Sequence, residues 1–342
     1  MSVLAEIHEQ PDSLRRVLAR NRSVAAAATR VLDGASYVMI AARGTSDNAA
    51  RYAQYVWGAC NRLPVALAAP SLFGPYRKPP RLDGAVVVGI SQSGQSPDIL
   101  AVLHEANQQQ RPTIAITNDI ASPLAAAAGL VLPLHAGPER SVAATKTYTA
   151  ELLVVAMLAG TGAGDGTLDA ALEAVPDGVA AMLATEPAIA TAAERYADMD
   201  RAAVLGRGYN LATAHEWALK LTEMAYVAAQ PWSTADFQHG PVALVEPGFP
   251  ILATVADGPL AADAAAFLRT LASERRARVL AISDRPDVLA VGDGIPLPEG
   301  TPEWLSPITA AVAAQLFCAH VAAARNVDPD TPRNLSKITK TT

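Results

Sequence analysis

Three stretches of this 342-residue chain carry residue types whose spacing suits chemistry. The first is Ser91-Gln-Ser-Gly-Gln-Ser96, followed by Pro97-Asp98 and an apolar-periodic run. Ser96 reads as a helix N-cap with Pro97 at the first helical position. Gly94 lets the backbone approach a ligand closely, and hydroxyls converging on a helix N-terminus suit a phosphate dianion and an uncharged sugar face. The plainer alternative is a hydroxyl-rich cap and turn with no ligand. For Ser91–Ser96 we favour phosphate binding; for the similar Arg43-Gly-Thr-Ser-Asp-Asn48, taken alone, we favour the turn. No Walker lysine follows either loop and neither completes the dinucleotide fingerprint, which disfavours a nucleotide.

The second stretch is Thr213-Ala-His-Glu-Trp-Ala-Leu-Lys-Leu-Thr-Glu-Met224, which sets Glu216, Lys220 and Glu223 on one helical face. On a generic helix that face is two solvated ion pairs. Here the remaining positions are apolar and Gln238-His239-Gly240-Pro241 follows closely. A lone histidine is more often structural than catalytic. A glutamate beside a lysine can nevertheless shuttle a proton and an imidazole can open a hemiacetal, so together they suit enolisation. The third stretch is the polar C-terminus from Pro332-Arg-Asn-Leu to Lys337. Such an end is ordinarily a frayed tail, but its single apolar positions suggest docking. A docked Lys337 could form a Schiff base with a keto sugar or pair with a phosphate; the residues alone do not choose.

The elements that must position these stretches are organised by an internal repeat. Val38–Gly44, Gly84–Ile90, Thr113–Asp119 and Leu132–Leu134 recur in order as Ala202–Gly208, Gly248–Thr254, Val279–Arg285 and Ile295–Leu297, at offsets of 163–166 residues. The chain therefore reads as a tandem duplication. Each piece is a short continuous apolar run, as in strands buried on both faces of a parallel sheet. Between them lie helical stretches such as Ala49–Cys60, Pro97–Gln108, Thr147–Leu158 and Thr213–Ala229. The expected architecture is α/β, with two tandem doubly wound parallel sheets in three αβα layers. A helical arm, about Asp12 to Leu32, precedes them. We place the arm at 1–34, the first domain at 35–165, the second at 195–330 and a docked tail at 331–342, with Leu168–Tyr196 helical around the boundary. Ligands in such folds sit beyond the carboxyl ends of the strands. The second-half counterpart of the serine loop, Val255-Ala-Asp-Gly-Pro259, has no serines, so the two halves are expected to contribute differently.

Composition narrows the function class. With 51% hydrophobic and 18% charged residues, disorder is excluded. No apolar run approaches the ~20 residues of a membrane span, and the N-terminal residues interleave charges as no secretory signal does. Cys60 and Cys318 lie far apart in apolar surroundings and read as buried free thiols of a reduced compartment, with no zinc or redox motif. A net charge of −6 without a basic cluster argues against nucleic acid. A cytoplasmic protein without metal or other cofactor is expected.

Jointly, the motifs resemble the double sugar-isomerase (SIS) domain family, along essentially the whole chain. The matching segments are Glu6–Pro11, Gly44–Ser46, Ser91–Gly94, Ala136–Glu139 with Val142–Lys146, Glu216–Glu223, His239–Pro241 and Pro332–Lys337. The similarity is to the isomerase half of glucosamine-6-phosphate synthase and, in Arg43–Asp47 and Ser91–Asp98, to stand-alone SIS-type glucosamine-6-phosphate deaminases. The resemblance implies that Ser91, Gln92, Ser93 and Ser96 hold a phosphate while Thr45, Ser46 and Val142 line the sugar. It implies that Glu223 moves a proton between C1 and C2, that His239 assists ring opening from the partner subunit of a homodimer, and that Lys337 is the Schiff-base candidate. Glu216 and Lys220 complete the site. Met1-Ser2 stands where the synthase carries its glutaminase half with a nucleophilic cysteine, so ammonia is not expected to come from glutamine. Ala144 replaces a synthase serine. The expected reaction converts an amino-sugar phosphate, glucosamine 6-phosphate first, to a ketose phosphate and ammonia. A fructosyl-amino-acid 6-phosphate deglycase, an ammonia-dependent synthase and a non-catalytic sugar-phosphate sensor are the alternatives.

Overall fold

The computed structural model of the protein describes residues 2–163 and 166–337. Two five-stranded, wholly parallel sheets form its framework. The first contains β1 (Tyr37–Ala41), β2 (Val65–Leu67), β3 (Ala85–Ile90), β4 (Thr113–Thr117) and β5 (Leu130–Pro133) in the order β2-β1-β3-β4-β5. The second contains β6 (Arg201–Gly206), β7 (Ala228–Ser233), β8 (Pro250–Val255), β9 (Arg278–Ser283) and β10 (Asp293–Pro296) in the order β7-β6-β8-β9-β10. The two orders are the same arrangement met twice, which is the topological counterpart of the sequence repeat. In each, strand order reverses once, between β1 and β3 and between β6 and β8, and the loops leaving those strands flank the crevice where such sheets take ligands.

The helices are α1 (Val3–His8), α2 (Gln10–Asp33), α3 (Thr45–Cys60), α4 (Pro97–Gln108), α5 (Pro123–Ala127), α6 (Lys146–Ala163), α7 (Gly166–Leu183), α8 (Glu186–Arg195), α9 (Leu211–Ala225), α10 (Thr234–Gln238), α11 (Ala261–Ser273), α12 (Pro286–Leu289) and α13 (Ser306–Ala324). The central strands β3 and β8 are buried along their whole length, which is why they read as unbroken apolar runs. On one face of the first sheet Val87 and Ala115 pack with Ile99, Val102 and Leu103 of α4. Gly89 makes that contact possible, since a Cβ there would lie 2.8 Å from Leu124 Cδ1 and 2.9 Å from Leu103 Cδ1. The equivalent layer of the second sheet joins Ile251, Ala253 and Val279 to Ala265, Leu268 and Leu271 of α11.

By internal contacts the chain forms two compact units. One comprises Glu9–Arg140, Lys146–Ala174 and residues 336–337; the other comprises residues 2–8, Ser141–Thr145 and Val175–Leu335.

Several details depart from the sequence-based expectation. The edge strands β2 and β7 were not anticipated. Helix α9 stops at Ala225, because Tyr226 turns left-handed at φ 55°, and the chain then enters β7 instead of staying helical to Ala229. Leu168–Tyr196 is helical, divided between α7 and α8. Cys60, the last residue of α3, is exposed, so only Cys318 is a buried thiol. One helix does have the length and hydropathy of a membrane span: α13, with mean hydropathy 1.5, but 83% of that window is buried inside the protein. It is a core helix, packed on α8 and α9.

Candidate active site

In the first unit the serine loop leaves β3 at the switch point and ends in α4. Ser91 Oγ accepts the Gly94 amide at 3.1 Å and Ser93 Oγ accepts the Gln95 amide at 3.3 Å. Both hydroxyls are thereby positioned as acceptors inside the loop, and each keeps its O–H to donate to an anion. Gln92 and Ser96 are half-buried beside them. Ser96 occupies the N-cap position, yet its hydroxyl makes no capping bond, so it too remains available. Gly94 is required on two counts: φ is +62°, and a Cβ would sit 2.1 Å from Ser122 Oγ. The β4 side clamps the loop, with the Asn118 amide bonding to the Gln92 carbonyl at 3.1 Å.

The other switch-point loop, after β1, is tied to the serine loop's helix. Arg43 Nε lies 2.5 Å from Asp98 Oδ2, a carboxylate that is 6% exposed. Thr45, half-buried, opens α3. Ser46, by contrast, donates its hydroxyl to the buried Glu151 of α6 at 2.8 Å, an internal use that no motif revealed. In the same unit Lys337 lies 2.8 Å from Glu139 Oε2, and the Glu139 side chain is fully buried. Glu139 also accepts the Thr147 amide at 3.1 Å and the Thr147 hydroxyl at 2.8 Å. The motif segment Ala136–Glu139 had been noted in the sequence, but nothing in its spacing ties it to a residue 198 positions away.

The second unit holds the charged helix. Glu216 and Lys220 are 1% exposed, with Lys220 Nζ 3.6 Å from Glu216 Oε1. Lys220 also bonds directly to Glu223, whose side chain is 26% exposed. The expected helical face is therefore buried, and the carboxylate that reaches solvent is Glu223. Cys318 of α13 lies within the field of this cluster, its thiol pushed up mainly by burial, with Lys220 opposing and both glutamates reinforcing the shift. Trp217 is buried on the same helix and meets Phe317 edge-on at 5.6 Å.

His239 is the C-cap of α10, just before Gly240, whose φ of 146° turns the chain. It is exposed, and among the described residues its ring has no hydrogen-bond or ion-pair partner. Val142 is half-buried. Before Lys337, the Arg333 amide bonds to the Tyr226 hydroxyl at 2.8 Å, and the guanidinium stacks 4.5 Å from that ring.

Comparison with known proteins places these features. The SIS-domain pattern matches twice, over residues 32–160 and 195–325. The chain belongs to the SIS-domain family. It is 33% identical over 344 residues to glutamine–fructose-6-phosphate aminotransferase of Thermococcus kodakarensis, spanning 98% of this chain and 57% of that enzyme's length. The part matched is its isomerase half. A candidate phosphosugar isomerase of Silicibacter pomeroyi is 33% identical with a TM-score of 0.85, over 96% of this SIS protein and 100% of its own chain. A glucosamine-6-phosphate deaminase of Thermotoga maritima shares the fold over the full length of both chains, with a TM-score of 0.79 at 22% identity.

Proposed function

We propose that this SIS protein is an isomerising deaminase that takes glucosamine 6-phosphate and water to fructose 6-phosphate and ammonia, acting as a homodimer. The observation that carries the reading is the buried ammonium of Lys220 held between Glu216 and Glu223. A lysine that cannot leave fixes the carboxylate of Glu223, the more accessible of the two, in an orientation suited to proton transfer. In the proposed course the hydroxyls of Ser91, Ser93 and Ser96 and the amide of Gln92 hold the phosphate, with Thr45 and Val142 along the sugar. His239, contributed by the partner subunit, helps to open the ring. Glu223 then removes the C2 proton of the open-chain aldehyde and returns it to C1. The product is an imine at C2, which Lys337 takes over by exchange and water hydrolyses to the ketose.

A second reading, an ammonia-dependent synthase, uses the same groups in the opposite direction; the 33% identity to the isomerase half of the aminotransferase favours it. The deciding experiment measures ammonia and fructose 6-phosphate from glucosamine 6-phosphate, and glucosamine 6-phosphate from fructose 6-phosphate and ammonia, with Glu223→Gln as control. Turnover from the amino sugar that Glu223→Gln abolishes is the expected result. A folded protein inert towards glucosamine 6-phosphate refutes this substrate and directs attention to fructosyl-amino-acid phosphates.

A further inference from the structure

The geometry points to Glu139 as the group that moves the proton when Lys337 forms its imine, an inference that deepens the proposed function and rests on Lys337 being the amine that reacts. Three observations carry it. The carboxylate is fully buried and touches Lys337 Nζ at 2.8 Å. It is fixed by the amide and hydroxyl of Thr147, at the start of α6, where the helix N-terminus favours an anion. The neighbouring Lys146, also buried, turns instead to Glu9 at 2.5 Å and to the Pro138 carbonyl at 2.7 Å, so its charge is met elsewhere. Lys337 itself is 24% exposed, open enough to meet a carbonyl.

An ammonium does not attack a carbonyl, so the contact must be used. Glu139 takes one proton from Lys337, and the freed amine adds to the carbonyl carbon, forming the C–N bond as the C=O pair moves to oxygen. A proton shifts from nitrogen to that oxygen, giving a neutral carbinolamine. Glu139 then returns its proton to the hydroxyl, the C–O bond breaks and water leaves. The product is a protonated imine on Lys337 beside the regenerated carboxylate. Ammonium plus ketone gives iminium plus water, with charge conserved and no other reagent, and the same steps run in reverse are the hydrolysis that ends the proposed deamination. A carboxylate that merely tethers the tail would make the same contact but would suppress attack, because the pair favours the unreactive ammonium.

The two roles separate by labelling the full-length protein with formaldehyde and cyanoborohydride. Methylation of Lys337, read by peptide mass, is compared with that of the exposed Lys78 in wild type, Glu139→Gln and Glu139→Asp. Imine formation with formaldehyde needs no sugar site. Relative to Lys78, labelling of Lys337 is expected to fall about tenfold or more in Glu139→Gln, which preserves shape but carries no proton, and to recover at least in part in Glu139→Asp. Labelling in Glu139→Gln as fast as or faster than in wild type overturns the proposal. A parallel arm traps fructose 6-phosphate on Lys337 with borohydride; there the rate in Glu139→Gln is expected to fall about 10²-fold with the sugar-phosphate KM within about threefold. If formaldehyde labelling depends on Glu139 while wild type gives no sugar adduct, the substrate reading fails and the role of Glu139 stands.

Discussion

Replacing Lys220 by Met tests whether the charged helix is a buried electrostatic unit or an ordinary solvated face. Lys220 and Glu216 are each 1% exposed and 3.6 Å apart, where unit charges attract by roughly 4–5 kcal/mol at an effective dielectric constant of about 20. Desolvation offsets much of that attraction, so the intact pair adds little net stability. Removing one partner is different, because it takes the Lys220 cation away from a buried carboxylate, which costs about 3–5 kcal/mol. Glu223 adds less, being partly solvated. At 2–4 °C per kcal/mol for a domain of this order of size, Lys220→Met should lower Tm by roughly 6–20 °C at pH 7. The deficit should narrow as pH falls, because once the cation is gone the neutral carboxyl is the cheaper form to bury. Adding Glu216→Gln should recover most of the loss, since the double variant buries no charge there. Thermal unfolding of the wild type, both single variants and the double variant at pH 4 and pH 7 gives the coupling directly. A loss below about 1 kcal/mol at pH 7, or no recovery in the double variant, refutes the reasoning and returns the helix to the solvated face of its sequence pattern.

Gly94→Ala forces a Cβ to within 2.1 Å of Ser122 Oγ at φ +62°. It should weaken fructose 6-phosphate binding at least about tenfold in calorimetric titration and cost about 1–3 kcal/mol of stability; unchanged affinity would remove this loop from the phosphate site. Ser46→Ala withdraws a donor from the buried Glu151 and should cost about 1–3 kcal/mol in urea unfolding while KM stays unchanged; a KM that rises with stability intact would put the hydroxyl on the sugar instead. Glu303 titrates above its ordinary range, through desolvation first and then the nearby Asp257 and Asp284. Its neutral form is therefore favoured in the folded state, and stability from this group is present below its unfolded pKa and lost as pH rises through the folded one. Glu303→Gln should accordingly stabilise the protein at pH 7 and gain nothing at pH 4, read from Tm at the two pH values.

What the sequence discloses, and what it withholds, follows from where each residue finds its partners. Strands such as β3 and β8 are legible because burial on both faces forces a continuous apolar run, and the repeat exposes the rest in register. The edge strands lack that constraint. β2 is three residues, none of them buried, and β7 carries Pro231, which only an edge tolerates. The end of α9 was invisible because a tyrosine, not a glycine, adopts the left-handed turn, and the alanines after it look helical. The same distinction governs the site. Glu216, Lys220 and Glu223 are neighbours along one helix, so their clustering is a matter of period. Ser46 with Glu151, Arg43 with Asp98 and Glu139 with Lys337 are 105, 55 and 198 residues apart, and no local pattern encodes such pairs. Sequence motifs thus identify the groups that could meet a substrate, whereas the fold determines which of their protons and lone pairs are already committed. That is why Ser46, expected along the sugar, is found donating its hydroxyl to Glu151, while Glu139, part of a matching motif but given no role by it, is found beside Lys337.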